Sequence, residues 1–348
     1  MTTYVLGAGA SHDAGYPLAK TMAAELFQWM KRPAHAPDSY ASRYPKAARF
    51  LEESFGPVED VEDLVTAIHQ RIDEYENGAR EQREKRAHLA NEYGVLKNAV
   101  SDWFGEIQHG PALASSAYRD FAQNLVVPGD CLITFNYDVS LERELTGAGK
   151  FQAGDGYGFR IENLPAKSDT KVLKLHGSTS WLALLFGGMN SGSFQPGHTS
   201  GERPVIAKHE LSFLGYTDAT DPGFGKGGAA LPVMIFPARK KEFYFEASTG
   251  VEYADFWNAL WRQAKKALQS SARVVICGYG LSPVDGRARA LLLNNPRKDA
   301  DIVISSGADT DRIVDEYRHA GYAGAAAADE VFFEEWVRTS TSVVAGTQ

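Results

Sequence analysis

Cysteine is nearly absent: only Cys131 and Cys277 occur in 348 residues, far apart and each inside an apolar run. That excludes a disulfide framework and a four-cysteine zinc site, and both thiols read as buried core groups. No uncharged apolar stretch approaches the ~20 residues needed to span a bilayer. A basic excess is missing too, with 36 Lys and Arg against 44 Asp and Glu and a formal charge of −8. Proteins that hold polyanions by bulk electrostatics run the other way, so neither direct nucleic-acid binding nor a membrane partner is expected. The start, Met1-Thr-Thr-Tyr-Val-Leu-Gly7, has no basic region and enters structural sequence at once. No signal peptide is expected there, and a cytoplasmic protein is. Internal repeats are absent.

What is present is a composition 44% hydrophobic and 23% charged, enough for a large core in one to three domains. Four runs of branched apolar residues read as strands buried on both faces: Tyr4-Val-Leu, Cys131-Leu-Ile-Thr-Phe, Val172-Leu-Lys-Leu and Arg273-Val-Val-Ile-Cys. Ile302-Val-Ile-Ser reads as a fifth. Each run ends in small or polar residues, including Gly7, Asn136, His176-Gly177 and Gly278. The pattern predicts an α/β fold: a Rossmann-like, mostly parallel sheet with helices on both faces. Ligands of such sheets bind at the carboxyl ends of the strands, where these polar residues would converge.

Between the first two strands, Val61, Leu64, Val65, Ile68 and Ile72 recur at helical spacing, and 80–86 alternates in charge like a solvated helix face. An all-helical insertion is expected over 32–125, leaving 1–31 with 126–337 as the sheet domain. Dense glycine, serine, threonine and proline over 187–231, with Gly187-Gly188, Gly225 and Gly227-Gly228, predict a flexible loop region. Phe256-Trp257, Leu260-Trp261, Ala264 and Leu268 form a core-facing helical stripe, and 338–348 reads as a frayed tail. Arg239-Lys240-Lys241 is a short basic run that fits either a solvated surface or a phosphate contact.

The first strand feeds Gly7-Ala8-Gly9-Ala-Ser11, then Gly15-Tyr-Pro17. A glycine turn between strand and helix lets backbone N–H groups approach a phosphate; a tight turn without ligand fits the same residues. The dehydrogenase fingerprint is not met, because its third glycine falls on His12 and no acidic residue ends a second strand at the required distance. The second strand delivers Thr134-Phe-Asn136-Tyr-Asp138 and the third Leu175-His176-Gly177-Ser178. An amide, a carboxylate and an imidazole would meet around one pocket. Singly, Asn136 and Asp138 also fit the cap of a helix starting near Val139, and His176 fits a loop-orienting role.

In order, these segments resemble the sirtuin-like NAD-consuming domains, which carry a closely similar Thr-x-Asn-x-Asp and His-Gly. A fourth segment, Cys277-Gly278-Tyr279-Gly-Leu-Ser282-Pro-Val-Asp285, is similar to the Gly-Tyr-Ser-Leu…Asp pattern of the zinc-less bacterial branch. The likeness spans residues 1 to about 310 of the chain and leaves out the helical insertion and the Gly-rich region. It departs from the deacylating members in three ways: no zinc cysteines, Phe135 where they have glutamine, and Leu18-Ala19 where they have Asp-Phe-Arg. An acyl-lysine cleft is therefore not expected, nor a metal.

The resemblance implies NAD as a substrate and an NAD glycohydrolase of antiviral defence, held in check by self-assembly or by a protein activator such as an ATPase or a nucleic-acid-guided protein. It implies that Asn136 holds the ribose or the attacking water, that Asp138 contacts the nicotinamide amide, and that His176 acts as base. Gly7, Ala8, Gly9 and Ser11 would hold the diphosphate, with Thr134, Gly177 and Ser178 lining the same pocket. Gly278, Tyr279, Ser282 and Asp285 would shape the adenosine side, although Asp285 also fits a helix cap. ADP-ribosyl transfer or cyclisation, and a module that senses NAD or ADP-ribose without turnover, remain as alternatives; deacylation ranks last.

Overall fold

The computed structural model describes residues 1–32, 40–75, 79–161, 164, 167–184, 211–213, 230–236, 250–329 and 332–346. Its main sheet has six strands: β1 (Thr2–Leu6), β2 (Cys131–Thr134), β3 (Lys171–Lys174), β7 (Arg273–Cys277), β8 (Asp301–Ser305) and β9 (Ala326–Ala327). A second, three-stranded sheet comprises β4 (Gly177–Leu184), β5 (Leu211–Phe213) and β6 (Ala230–Met234), in the order β5-β4-β6. All five runs read as strands from the sequence are strands of the main sheet.

The main sheet has the order β3-β2-β1-β7-β8-β9, and every pairing in it is parallel. Continuous branched apolar runs suit this environment because strands in a covered parallel sheet bury both faces. Val5, Leu6, Leu132, Ile133, Val172, Val274, Ile302 and Ile304 are all fully buried. Counted within the sheet alone the order is 3-2-1-4-5-6, the doubly wound dinucleotide-binding arrangement, whose direction reverses between β1 and β7. The β2–β3 connection carries the helix Ser140–Gly147, and the connections β7–β8 and β8–β9 carry Gly286–Asn294 and Thr310–His319. Right-handed crossovers running in opposite directions from β1 put the two sets of helices on opposite faces, so the sheet is Rossmann-like.

The chain forms two compact units, Met1–Tyr16 with Ile107–Ser178 and Phe256–Gln348, and Pro17–Glu106 with Thr179–Asp255. These bounds differ from the expected insertion at 32–125. The segment after 107 belongs with the sheet because its aromatics pack there: Tyr4 meets Phe121 edge-on at 4.9 Å, Phe121 meets Phe333 at 5.4 Å, and Tyr118 meets Phe333 at 5.3 Å. Nor is the second unit purely helical, since it holds most of the three-stranded sheet. The residues expected to fray at the C-terminus continue a helix, Phe333–Gly346, whose Phe333, Trp336 and Val337 are buried. Most of the expected loop at 187–231 lies outside the described residues, apart from β5 and the start of β6, and Arg239-Lys240-Lys241 lies outside them as well. No helix among the described residues is long and apolar enough to cross a membrane.

Candidate active site

The candidate catalytic and NAD-binding residues all fall in the sheet unit, in the segments that follow β1, β2, β3 and β7 or at their last residues. The glycine turn sits at the β1–β7 switch point. Gly7 N–H donates to Cys277 O at 3.0 Å and Gly9 N–H to Gly278 O at 2.9 Å, so the turns after β1 and β7 are bonded to each other. They touch closely: a Cβ on Gly7 would lie 2.6 Å from both Gly278 O and Tyr279 Cα. Gly278 adopts φ 61°, a left-handed conformation open to glycine at little cost. The glycines are there to bring two backbones together. The N–H groups of Gly7 and Gly9 are both engaged by the turn after β7, and Ala8–Ser11 is a single short 3₁₀ turn. Ala8 and Gly9 are half-buried.

Asn136 follows β2 and is buried. Its Nδ2 lies 2.8 Å from Gly7 O and 2.9 Å from Ser11 Oγ. A carbonyl only accepts, which fixes the amide orientation and turns Oδ1 into the end available to a ligand. Ser11 Oγ also lies 2.7 Å from Asp138 Oδ2 and 2.8 Å from the Tyr118 hydroxyl. A carboxylate cannot donate, so Ser11 gives its one proton to Asp138 and accepts from both Asn136 and Tyr118. The hydroxyl is then saturated. Ser11 clamps Asn136 and Asp138 together. Asp138 Oδ1 in turn accepts from Ser140 N at 3.1 Å, starting the helix Ser140–Gly147. Burial, followed by the negative charge of Asp138, pushes the Tyr118 hydroxyl well above its ordinary pKa, so it stays protonated and donating.

His176 lies just beyond β3, and its Nε2 is 3.3 Å from Asp285 Oδ2. Asp285 Oδ1 accepts from Ala288 N at 3.1 Å, capping the helix Gly286–Asn294. Asp285 is therefore both a helix cap and a neighbour of His176. The Tyr279 ring stacks on Phe135 at 4.4 Å with 18° between planes, and Phe135 meets His176 edge-on at 5.1 Å. Phe135 follows β2 and Tyr279 follows β7, so their stack passes over the end of β1. Leu281 is held at φ 46°, costly for a branched side chain, with its carbonyl fixed by Arg289 Nη1 at 2.8 Å. Ser282, half-buried, accepts from Asp285 N at 3.1 Å through its carbonyl. Thr134 Oγ1 accepts from Asn136 N at 3.1 Å. Gly177, at φ 86°, turns the chain, and buried Ser178 donates to Tyr137 O at 3.5 Å.

Tyr118 was not expected from sequence; it is an ordinary tyrosine in a helical stretch, and only the fold brings it to Ser11. Both cysteines are buried, and burial pushes Cys131 up to about 12 and Cys277 upward as well, which fits inert thiols.

No protein-family model matches the chain, and no curated protein matches it. Solved structures do. A Sir2 homologue in complex with NAD is 13% identical over 99% of this chain and 90% of its own, with a TM-score of 0.41. A structure described as the basis for the mechanism and regulation of Sir2 enzymes is 12% identical over 100% of this chain and 93% of its own, with a TM-score of 0.43.

Proposed function

We propose that this chain is an NAD glycohydrolase, splitting the nicotinamide–ribose bond to give ADP-ribose and nicotinamide. The observation that carries the reading is that Asn136 and Asp138 follow β2, His176 follows β3 and its neighbour Asp285 follows β7, around the switch point of a 3-2-1-4-5-6 sheet, where doubly wound folds take dinucleotides. The motif order that resembles the sirtuin-like domains supports the same substrate.

The chemistry suits these groups. Cleavage of the bond builds positive charge on the ribose, as in glycoside hydrolysis, and nicotinamide leaves neutral, so no general acid is needed. Asn136 Oδ1 accepts a hydrogen bond from the attacking water or a ribose hydroxyl. His176, oriented by Asp285, takes the proton as water attacks. Asp138 accepts from the nicotinamide amide and places negative charge near the cationic sugar. Gly7, Ala8, Gly9 and Gly278 form the floor under the diphosphate, with Thr134, Gly177 and Ser178 supporting the pocket from β2 and β3. Tyr279 and Ser282 border the adenosine side.

Unchecked hydrolysis of NAD would be toxic, so the activity is gated by self-association or by a protein activator, in a cytoplasmic role in antiviral defence. The test is chromatography of NAD incubated with the pure protein over a wide concentration range, beside Asn136→Ala and His176→Ala. ADP-ribose and nicotinamide from the wild type alone support the reading. A steep rise with concentration supports gating by assembly, and a cyclic or protein-linked product redirects it to cyclisation or transfer. Absence of both turnover and calorimetric NAD binding would defeat it.

A further inference from the structure

Lys174 ends β3 between Leu173 and Leu175, and all three are buried. Its ammonium lies 2.9 Å from Glu142 Oε1, on the helix Ser140–Gly147, and 2.6 Å from the backbone oxygen of Asp138. Lys174 and Glu142 are both fully buried. Tyr157 donates its hydroxyl to the same Oε1 at 3.3 Å. Burial pushes the Glu142 carboxyl up, and Lys174 pulls it back.

A buried pair of this kind is a weak source of stability. Desolvation costs several kcal/mol per ion, and apolar residues of equal volume are often as stable or more so. An apolar side chain at position 174 would lack one thing: a donor for the Asp138 carbonyl. That carbonyl closes the loop 135–138, which carries Asn136 and Asp138. The rest of the loop is tied by Phe135 N to Leu6 O at 3.2 Å, Asn136 N to Thr134 Oγ1 at 3.1 Å, and Ser178 Oγ to Tyr137 O at 3.5 Å.

We propose that Lys174 is a positioning residue for the site. Its ammonium pins the Asp138 carbonyl and so fixes where Asn136 Oδ1 and the Asp138 carboxylate stand, while Glu142 pairs with the ammonium. Only the kinetic consequence of this proposal rests on the NAD-cleaving reading; the loop itself can be measured without turnover.

The test is the double variant Lys174→Met/Glu142→Leu, which replaces the pair by apolar groups and leaves no lone buried charge. Expected are a cooperative melt like that of the parent and amide exchange in peptides covering 134–140 faster by at least about tenfold. NAD turnover should show kcat lower by roughly 10- to 100-fold with KM little changed, as for misplaced reacting groups. A folded double variant with parental loop exchange and parental kcat overturns the proposal. If the wild type cleaves no NAD, the functional reading fails by itself and loop exchange alone decides on Lys174. If the double variant does not fold, Lys174→Arg takes its place: it keeps a cation for Glu142 but moves the donor, and parental loop exchange in it is the overturning result.

Discussion

His176 and Asp285 stand 3.3 Å apart although their strands, β3 and β7, are separated in the sheet by β2 and β1. The contact closes over the ends of two intervening strands, one of which carries the glycine turn and the other Asn136. A carboxylate beside an imidazole favours its positively charged form. Because Asp285 also caps a helix, charge and cap can be separated by substitution.

Asp285→Asn keeps a side-chain oxygen for Ala288 N, and Asn caps about as well as Asp, so stability should move by only a few tenths of a kcal/mol. NAD turnover should fall by about 10²-fold, the usual scale of a disabled general base. Asp285→Ala loses the cap too and should cost about 1 kcal/mol on top of the same rate loss. Thermal melts beside turnover assays decide. Equal stability of the two variants would remove the capping role, and wild-type rates in Asp285→Asn would remove the catalytic one.

The saturated Ser11 hydroxyl makes a prediction about coupling. Tyr118→Phe in the wild type removes one buried donor and should cost about 1 kcal/mol. Ser11→Ala strands the Tyr118 hydroxyl along with one N–H of Asn136 Nδ2, whose other N–H keeps Gly7 O, and takes a donor from Asp138 Oδ2, and should cost more, about 1–3 kcal/mol per group left unpaired. In the Ser11→Ala background, Tyr118→Phe should then be neutral or stabilising, because it removes a stranded donor. Denaturant titrations of the four proteins measure this directly. Additive costs would mean that Tyr118 does not donate to Ser11.

Gly7→Ala tests the close approach of the two turns. The added methyl would meet Gly278 O and Tyr279 Cα at 2.6 Å, and these are backbone atoms with little room to move. A loss of about 1–3 kcal/mol is expected, as for other overpacking changes, together with loss of NAD binding. Gly147 provides the contrast. Nothing lies within 4 Å of a Cβ there, at the end of a helix, so Gly147→Ala should be neutral or stabilising by up to about 1 kcal/mol. Similar costs at both positions would contradict the packing argument.

The strands of the main sheet were legible because burial on both faces demands unbroken branched apolar runs, as in Arg273-Val-Val-Ile-Cys. β9, two exposed alanines, has no such signature, and it exists only because β8 offers an edge. Asn136, Asp138 and His176 were legible through their place just after strands. Tyr118 was not, since helical periodicity reports which face is buried and not which neighbour waits there. The same blindness moved the unit boundary: residues 107–125 are helical like the insertion, yet their aromatics pack on Tyr4 and Phe333. Lys174 did leave a signal. A lysine inside Val-Leu-Lys-Leu on a doubly buried strand must have a partner, and that demand alone marks it for attention.

His69 gives the second unit a pH signature. It lies on the helix Val61–Glu74, buried, with its ring edge-on to Tyr93 at 5.1 Å. Burial, assisted by the charge of Lys97, lowers its pKa from 6.5 to about 3. Between those values the unfolded chain binds a proton that the folded chain refuses, so stability rises with pH across the window. The contribution of neutral His69 is complete above pH 6.5 and is lost as the pH falls toward 3. Its slope approaches about 1.4 kcal/mol per pH unit in the middle of that range. His69→Gln cannot take up the proton, so its stability should fall less steeply between pH 6 and 4, whatever its value at pH 7. Denaturant titrations of both proteins at half-unit intervals provide the comparison. Carboxylates contribute equally to the two profiles and cancel in the difference, so parallel curves would mean that His69 is not held neutral by the fold.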